Sequence, residues 1–282
     1  MMEFMLADAI DALACPACRG DLSLHGTAVR CAGGHAFDVA RQGYVSLLTG
    51  SAPPGTADTP AMVAARAEFL QAGHYTPLAD RVRALVGEVA APGPGIVLDA
   101  GAGTGYYLAR ALRPDDAGIA LDVSKHALRR AARAHPRVAA VVADVWRALP
   151  VKDGRVEVVL DVFAPRNGPE FARVLRPGGT LVVVTPTSRH LAPLVETLGL
   201  LSVDEDKARR VGESLGSHFT EISREVLESR MLLDHRAVAA AAGMGPSAWH
   251  VDSGALEQEI SRLPLQVAVE MSCHISLFRK IA

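Results

Sequence analysis

Apolar positions change their period along this chain, and the changes divide it. From about Pro60 to Gln71, Met62, Ala65, Phe69 and Leu70 recur at helical spacing, and Gly73-His74-Tyr75 breaks the run. A second helix is predicted from about Thr76 to Val89, with Leu78, Val82, Leu85 and Val86 on one face. It stops before Ala91-Pro92-Gly93-Pro94-Gly95. Beyond Ile96 the pattern becomes a short apolar run, a turn and a helix, repeated. Strands are predicted at Ile96–Asp99, Gly118–Leu121, Val138–Val142, Val156–Leu160 and Thr180–Thr185, the last after the turn Arg176-Pro177-Gly178-Gly179. A further strand surrounds Cys273, which reads as a buried core cysteine. Strands alternating with helices of this length predict an α/β fold built on a doubly wound parallel sheet, with ligand at the carboxyl ends of the strands.

The first strand runs into Asp99-Ala100-Gly101-Ala102-Gly103-Thr104-Gly105, and a helix begins near Tyr106. In the dinucleotide fingerprint the third glycine follows the second by three residues. Here Gly101, Gly103 and Gly105 are each two apart and Asp99 precedes them, which favours a cofactor without a pyrophosphate. A cationic amino-acid tail such as that of S-adenosylmethionine fits close glycine backbone beside a carboxylate. Asp122, ending the second strand, is placed to accept two ribose hydroxyls, and Asp144, after the third, to accept an adenine amino group. Asp122 or Ser124 could instead cap the following helix.

The N-terminal region carries different chemistry. Cys15, Cys18, Cys31 and His35 form C-x2-C-x12-C-x3-H, two close pairs that suit tetrahedral, closed, structural zinc. Gly33 and Gly34 supply backbone freedom at the second pair. The residues between the pairs, with Leu22, Leu24 and Val29, are enough for a short hairpin, and so small a segment has little core without the metal. Gly50 to Pro60, rich in Gly, Pro, Thr and Ala, reads as a linker.

Composition narrows the class without naming the chemistry. The 282 residues are 49% hydrophobic and 21% charged, as in an ordinary globular chain, and no apolar run reaches the roughly 20 residues of a membrane span. The N-terminus, with Glu3, Asp8 and Asp11, lacks a secretory pattern, so a cytoplasmic location is expected. A net charge of -2 excludes a globally basic nucleic-acid binder, leaving only a local patch. Lys125, Arg129, Arg130, Arg133 and Arg137 follow the second strand, and 125, 129 and 133 share a helical face. That face is either solvated or contacts phosphate; the spacing leaves both open.

Taken together, the knuckle, Asp38-x2-Arg41-Gln42-Gly43-Tyr44, Gly73-His74-Tyr75, Asp99 to Tyr107, Leu121 to Lys125, Phe163-Ala164-Pro165, Thr185-Pro186 with Arg189-His190-Leu191, and Met244-x-Pro246-x2-Trp249 resemble a known family. It is that of the large-subunit ribosomal RNA guanine-N1 methyltransferases acting on hairpin 35 of 23S rRNA. Met62 to Arg66 and Val162 to Asn167 bring the chain nearest the actinobacterial branch found with macrolide producers, whose methylation confers resistance to tylosin-like and mycinamicin-like antibiotics. The resemblance implies a Rossmann-like class I methyltransferase with a small N-terminal zinc-binding module. Residues 1–50 would form the zinc-binding RNA-recognition module, 51–92 a linker and helices, and 93–282 the S-adenosylmethionine-dependent methyltransferase domain. It implies zinc on the four knuckle ligands and cofactor contacts at Tyr75, Gly105, Tyr106 and His190. The implied partners are 23S rRNA hairpin 35 and, as in some family members, a second copy in a homodimer.

Methyl transfer from a sulfonium is an in-line displacement, so alignment and exclusion of water carry most of the catalysis. Guanine N1 must also lose its proton, which gives a base a role. Asp161, at the fourth strand end, is the candidate base, with a helix cap or a loop-fixing role as its alternative. Phe163, Arg166 and Trp249 are candidate substrate residues, the two aromatics by stacking on an unpaired guanine; Trp249 could equally be core. The rival function is a small-molecule methyltransferase acting on a quinone or natural product, which would use a closed apolar pocket and seldom a zinc knuckle.

Overall fold

The computed structural model describes residues 6–50, 57–201, 207–249 and 253–281, with backbone alone for 207–210, 246, 249 and 253. A single 3-10 turn, Ile10–Ala12, leads into strands β1 (Leu22–His25), β2 (Ala28–Cys31) and β3 (Ala36–Asp38), followed by β4 (Tyr44–Ser46). Of the expected connector, residues 51–56 lie outside the described residues. Helix α1 (Pro60–Gln71) starts where Thr59 accepts the Met62 N–H and Pro60 takes the first helical position. Next come α2 (Thr76–Val89), β5 (Ile96–Ala100), α3 (Tyr106–Ala111), β6 (Ala117–Asp122), α4 (Lys125–Ala131), β7 (Val138–Val142) and β8 (Val156–Val162). The chain continues through α5 (Gly168–Val174), β9 (Leu175–Pro186), α6 (Ala192–Thr197), α7 (Lys207–Leu215), β10 (Phe219–Leu233), α8 (His235–Gly243), a 3-10 turn at Pro246–Trp249, α9 (Ser253–Ser261) and β11 (Val267–Lys280).

Strands β1, β2 and β3 form an antiparallel ribbon, and the other eight form one sheet in the order β10-β11-β9-β8-β5-β6-β7-β4. The sheet is mixed, which corrects the wholly parallel expectation. Strands β9, β8, β5, β6, β7 and β4 run parallel, while β11 lies antiparallel between β9 and β10. Strand β10 has no continuous apolar run, because it is an edge strand bearing Glu221, Arg224, Glu225, Glu228 and Arg230. Charges of this kind protect an open edge from pairing with other chains. Strand β9 extends back through the expected turn to Leu175, which pairs with Val156.

Apolar side chains fill both faces. One face packs Phe69, Leu78, Val82, Leu108, Leu128, Leu194 and Val238 from α1, α2, α3, α4, α6 and α8. The other packs Phe171 and Val174 of α5 and Leu215 of α7, together with Leu13, Cys15, Leu22, Val29 and Cys31 of the ribbon region. The ribbon lies where a crossover helix is missing, since residues 143–155 between β7 and β8 form none. Leu13 bridges to Val151, Ala14 N–H donates to Pro150 O at 3.0 Å, and Lys152 N–H donates to Ala12 O at 2.8 Å. The Arg19 guanidinium donates to Leu149 O at 2.7 Å and Val151 O at 3.0 Å. Within residues 1–50, Tyr44–Ser46 belongs to the large sheet, because its apolar residues find their partner in β7. Among the described residues no helix is long and apolar enough to cross a membrane.

Candidate active site and metal centre

The four knuckle ligands converge. Their ligand atoms all lie within 4.8 Å of one another. Cys18 Sγ is 3.7 Å from Cys31 Sγ, and His35 Nδ1 is 3.6 Å from Cys15 Sγ and 3.4 Å from Cys31 Sγ. A tetrahedral ion with the usual Zn–S and Zn–N lengths would separate its ligands by about 3.8 Å (S to S) and about 3.6 Å (S to N). The donor set and its spacing therefore fit zinc, bound through Nδ1 of His35. The two glycines serve differently from expectation. Only Gly34 has a positive φ, +84°, whereas a Cβ on Gly33 would lie 3.4 to 3.6 Å from Cys18 Sγ, Cys31 Sγ and His35 Nδ1, so its small size keeps the cage open.

Along the carboxyl edge of the sheet the acids line up. Strands β5, β6 and β7 are neighbours, so Asp99 and Asp122 at their ends, and Asp144 two residues past Val142, stand in a row along the carboxyl edge. Asp122 organises the glycine turn: one carboxylate oxygen accepts the Gly103 N–H at 2.8 Å and the other the Ser124 N–H at 2.7 Å. Ser124, not Asp122, caps α4. Asp144 accepts the Trp146 N–H at 2.9 Å and lies 3.3 Å from the Arg147 guanidinium. Gly101, Gly103 and Gly105 all have positive φ, and a Cβ on Gly101 would lie 2.6 Å from Ala164 Cβ. The turn thus packs directly under the loop that follows β8.

Asp99 is buried and its Oδ2 has no hydrogen-bond partner. Burial, with the Asp122 carboxylate beside it, pushes the Asp99 carboxyl up to about 7. An orphaned acid beneath a glycine turn is what a ligand carrying a cation or hydroxyls would complete. The buried hydroxyls of Tyr106 and Tyr107 likewise have no partner, and Arg110 stacks over the Tyr106 ring at 4.5 Å. These residues fit S-adenosylmethionine.

Beyond β8 and β9 lies an aromatic cluster. Tyr75, placed by the turn at Gly73, hydrogen-bonds His190 Nε2 through its hydroxyl at 2.8 Å. The Phe163 ring lies 6.1 Å from that of Tyr75 and 5.7 Å from that of His190. Phe163 has φ +54°, a conformation costly for a bulky residue, and is 39% exposed. The strained backbone holds the ring up from the strand end. Asp161 is fully buried beneath it, 3.7 Å from the Arg166 guanidinium. Cys273 is buried in β11, as expected, with Sγ 3.5 Å from His190 Nδ1. Trp249 closes a 3-10 turn, but its side chain lies outside the described residues.

The sequence reading did not mark Arg66 or Tyr107 as site residues. Arg66 had a signal: it falls on the stripe of Met62, Phe69 and Leu70, where a helix faces its core. Tyr107 had none, because an aromatic at that position reads as packing.

Comparison with known proteins agrees with this geometry. A zinc-ribbon family described as RlmA, N-terminal, matches residues 13–50, and a family described as methyltransferase domain matches residues 97–179. The chain is 48% identical to the 23S rRNA (guanine(748)-N(1))-methyltransferase of Streptomyces fradiae, over 95% of this chain and 97% of that one. It is also 48% identical to a Micromonospora griseorubida protein assigned as a 23S rRNA (guanine-N(1)-)-methyltransferase, over 98% of this chain and 100% of that one. Among solved structures, a chain of the Haloferax volcanii complex between the Trm112 methyltransferase activator and a methyltransferase matches with TM-score 0.52. It covers 80% of this chain and 100% of that chain at 18% identity, a likeness of fold alone. With a zinc cage, a cofactor edge and near full-length identity of this order, the chain belongs to the family of S-adenosylmethionine-dependent 23S rRNA (guanine-N1)-methyltransferases.

Proposed function

We propose that this protein methylates N1 of a guanine in hairpin 35 of 23S rRNA in the cytoplasm, giving resistance to macrolides of the tylosin and mycinamicin type. The observation that carries the reading is the 48% identity, across almost the whole chain, to the S. fradiae enzyme named for N1 of guanine 748. Bound S-adenosylmethionine supplies the electrophilic methyl group. Asp122 and Asp144 would take its hydroxyls and amino group, Asp99 its ammonium, and Tyr75, Gly105, Tyr106 and His190 would complete the cofactor wall. Phe163 offers its exposed face to the guanine. Asp161, buried and 3.7 Å from the Arg166 guanidinium, acts as a positioning residue that holds Arg166 toward the guanine. A homodimer belongs to the same reading and is tested by the mass in solution.

The surface favours RNA over a small acceptor. Lys125, Arg129, Arg130 and Arg133 are exposed along α4 and just beyond it, and none forms an ion pair among the described residues. The arginines beside the strand-end acids and the glycine turn are engaged instead: Arg66 with Asp58, Arg147 with Asp144 and Arg166 with Asp161. Unpaired like charges one turn apart repel, and a phosphate backbone relieves that repulsion. Replacing Lys125, Arg129 and Arg133 by Gln together is expected to weaken hairpin binding. The slope of log K against log salt should fall by about 2, at about 0.7 per lost phosphate contact. Filter binding between 50 and 200 mM salt measures it; an unchanged slope assigns the face to solvent.

The Asp99 shift gives a pH dependence with a definite sign. An unfolded carboxyl titrates near about 4, while Asp99 in the ligand-free fold titrates at about 7. Between those values the folded chain binds more protons, so its share of ligand-free stability is full below about pH 4, declines as pH rises to about 7 and is level above. The ionised form is the one that pairs with an ammonium. Affinity for S-adenosylhomocysteine should therefore rise with pH up to about 7, by as much as about tenfold per unit, and then level off. Calorimetric titration at several pH values tests this, and Asp99→Asn should flatten the profile.

The deciding experiment is transfer of labelled methyl from S-adenosylmethionine to 23S rRNA transcripts with hairpin 35 intact or with single guanines replaced. Label that vanishes with one guanine establishes the function. Cofactor binding without RNA labelling would move the search to small acceptors.

A further inference from the structure

Arg66, on α1, reaches the glycine turn. A Cβ on Gly103 would lie 3.3 Å from its Nη1 and 3.7 Å from its Cδ. The guanidinium is ion-paired with the Asp58 carboxylate, and Nη2 donates to Met244 O at 2.7 Å. Asp58 O accepts from Ser124 Oγ at 2.9 Å, and the Ser124 N–H reaches Asp122, whose other oxygen takes the Gly103 N–H. Helix α1, the residues before it, the first turn of α4, the glycine turn and the end of α8 thus meet at one guanidinium.

The charges at this edge are unbalanced without it. Asp99, Asp122 and Asp144 suit the ammonium, hydroxyls and amino group of the cofactor, but they repel its carboxylate. Arginine is the side chain whose fork matches a carboxylate with two parallel hydrogen bonds. Arg66 already holds one carboxylate, that of Asp58, through Nη1 alone, while Nη2 is given to Met244 O, so one prong of its fork is turned to an anion here. Both partners keep part of their surface in water, 29% for Arg66 and 21% for Asp58, and a partly exposed pair of this kind exchanges readily.

We propose that Arg66 is the carboxylate subsite of the cofactor site, taking the carboxylate of the methionyl end of S-adenosylmethionine, and that Asp58 occupies that place when no cofactor is bound. The proposal rests on the cofactor reading of the strand-end acids. Cofactor arrival would then release Asp58 from Arg66.

Titration calorimetry on the full-length, zinc-loaded protein separates this subsite from a structural brace. Two ligands are compared, S-adenosylhomocysteine and its decarboxylated counterpart, which differ only in the carboxylate. The wild-type protein should bind the first at least about tenfold more tightly. In Arg66→Gln that gap should close, with the decarboxylated ligand bound as before, and Arg66→Lys should restore part of it. Equal weakening of both ligands, or a gap that persists in Arg66→Gln, overturns the proposal. Should Arg66→Gln fail to fold, equal affinity of the wild type for both ligands overturns it as well. Binding of neither ligand by the wild type would instead overturn the cofactor reading itself, and this subsite with it.

Discussion

Stripping zinc from this protein is expected to destabilise the entire chain and not the ribbon alone. Cys15 and Cys31 are ligands and are also buried in the cluster that holds Leu98, Val141, Leu149 and Val151 of the sheet side. Losing the ion lets the ribbon open and exposes that face, where no crossover helix stands in reserve. Structural zinc contributes roughly 10 kcal/mol or more to the folding of small modules. If only about 4 kcal/mol of that reaches the shared core, the midpoint falls by roughly 8–16 °C for a chain of this size. Calorimetry with and without chelator, and on Cys31→Ser, should show one transition moving as a unit. A small separate transition for the ribbon, with the main one unmoved, would refute the shared core.

The second large effect is expected from a single methyl group. Gly101→Ala places a Cβ 2.6 Å from Ala164 Cβ at a position with φ +87°. The left-handed backbone costs about 1–2 kcal/mol for a residue with a Cβ, and the overlap about 1–3 kcal/mol. Neither the turn nor the loop after β8 can yield without moving, because the turn is tied to Asp122 and the loop carries Phe163 in its own strained conformation. Affinity for S-adenosylhomocysteine should drop at least about thirtyfold, the equivalent of about 2 kcal/mol, and methyl transfer should be lost. Gly87→Ala, in α2 with open space around it, serves as the control and should leave affinity unchanged. Equal affinities in the two variants would show that the turn is not the cofactor cradle.

Much of the site could be read from the sequence because its chemistry is local. The C-x2-C-x12-C-x3-H spacing needs only two tight turns to bring the ligands together. The acids at strand ends follow from the sheet itself, since successive parallel strands must finish at the same edge. Helices α1 and α2 were legible from apolar spacing, and the ends of β7 coincide with its apolar run. Strand β10 was not legible, because an exposed edge strand has no continuous apolar face to mark it.

By itself, then, the sequence determined the zinc ligands, the glycine turn with its three acids, and the run of strands that carries them, because each depends on residues close together in the chain or on one periodic pattern. Only the tertiary structure decided where the ribbon docks, how β10 and β11 make the sheet mixed, and which cations are paired and which stay free. It alone brought Arg66 from α1 to Gly103 and His190 to Tyr75, 115 residues apart. Those choices rest on contacts between distant segments, whose free energy comes from burial and charge pairing and leaves no periodic trace along the chain.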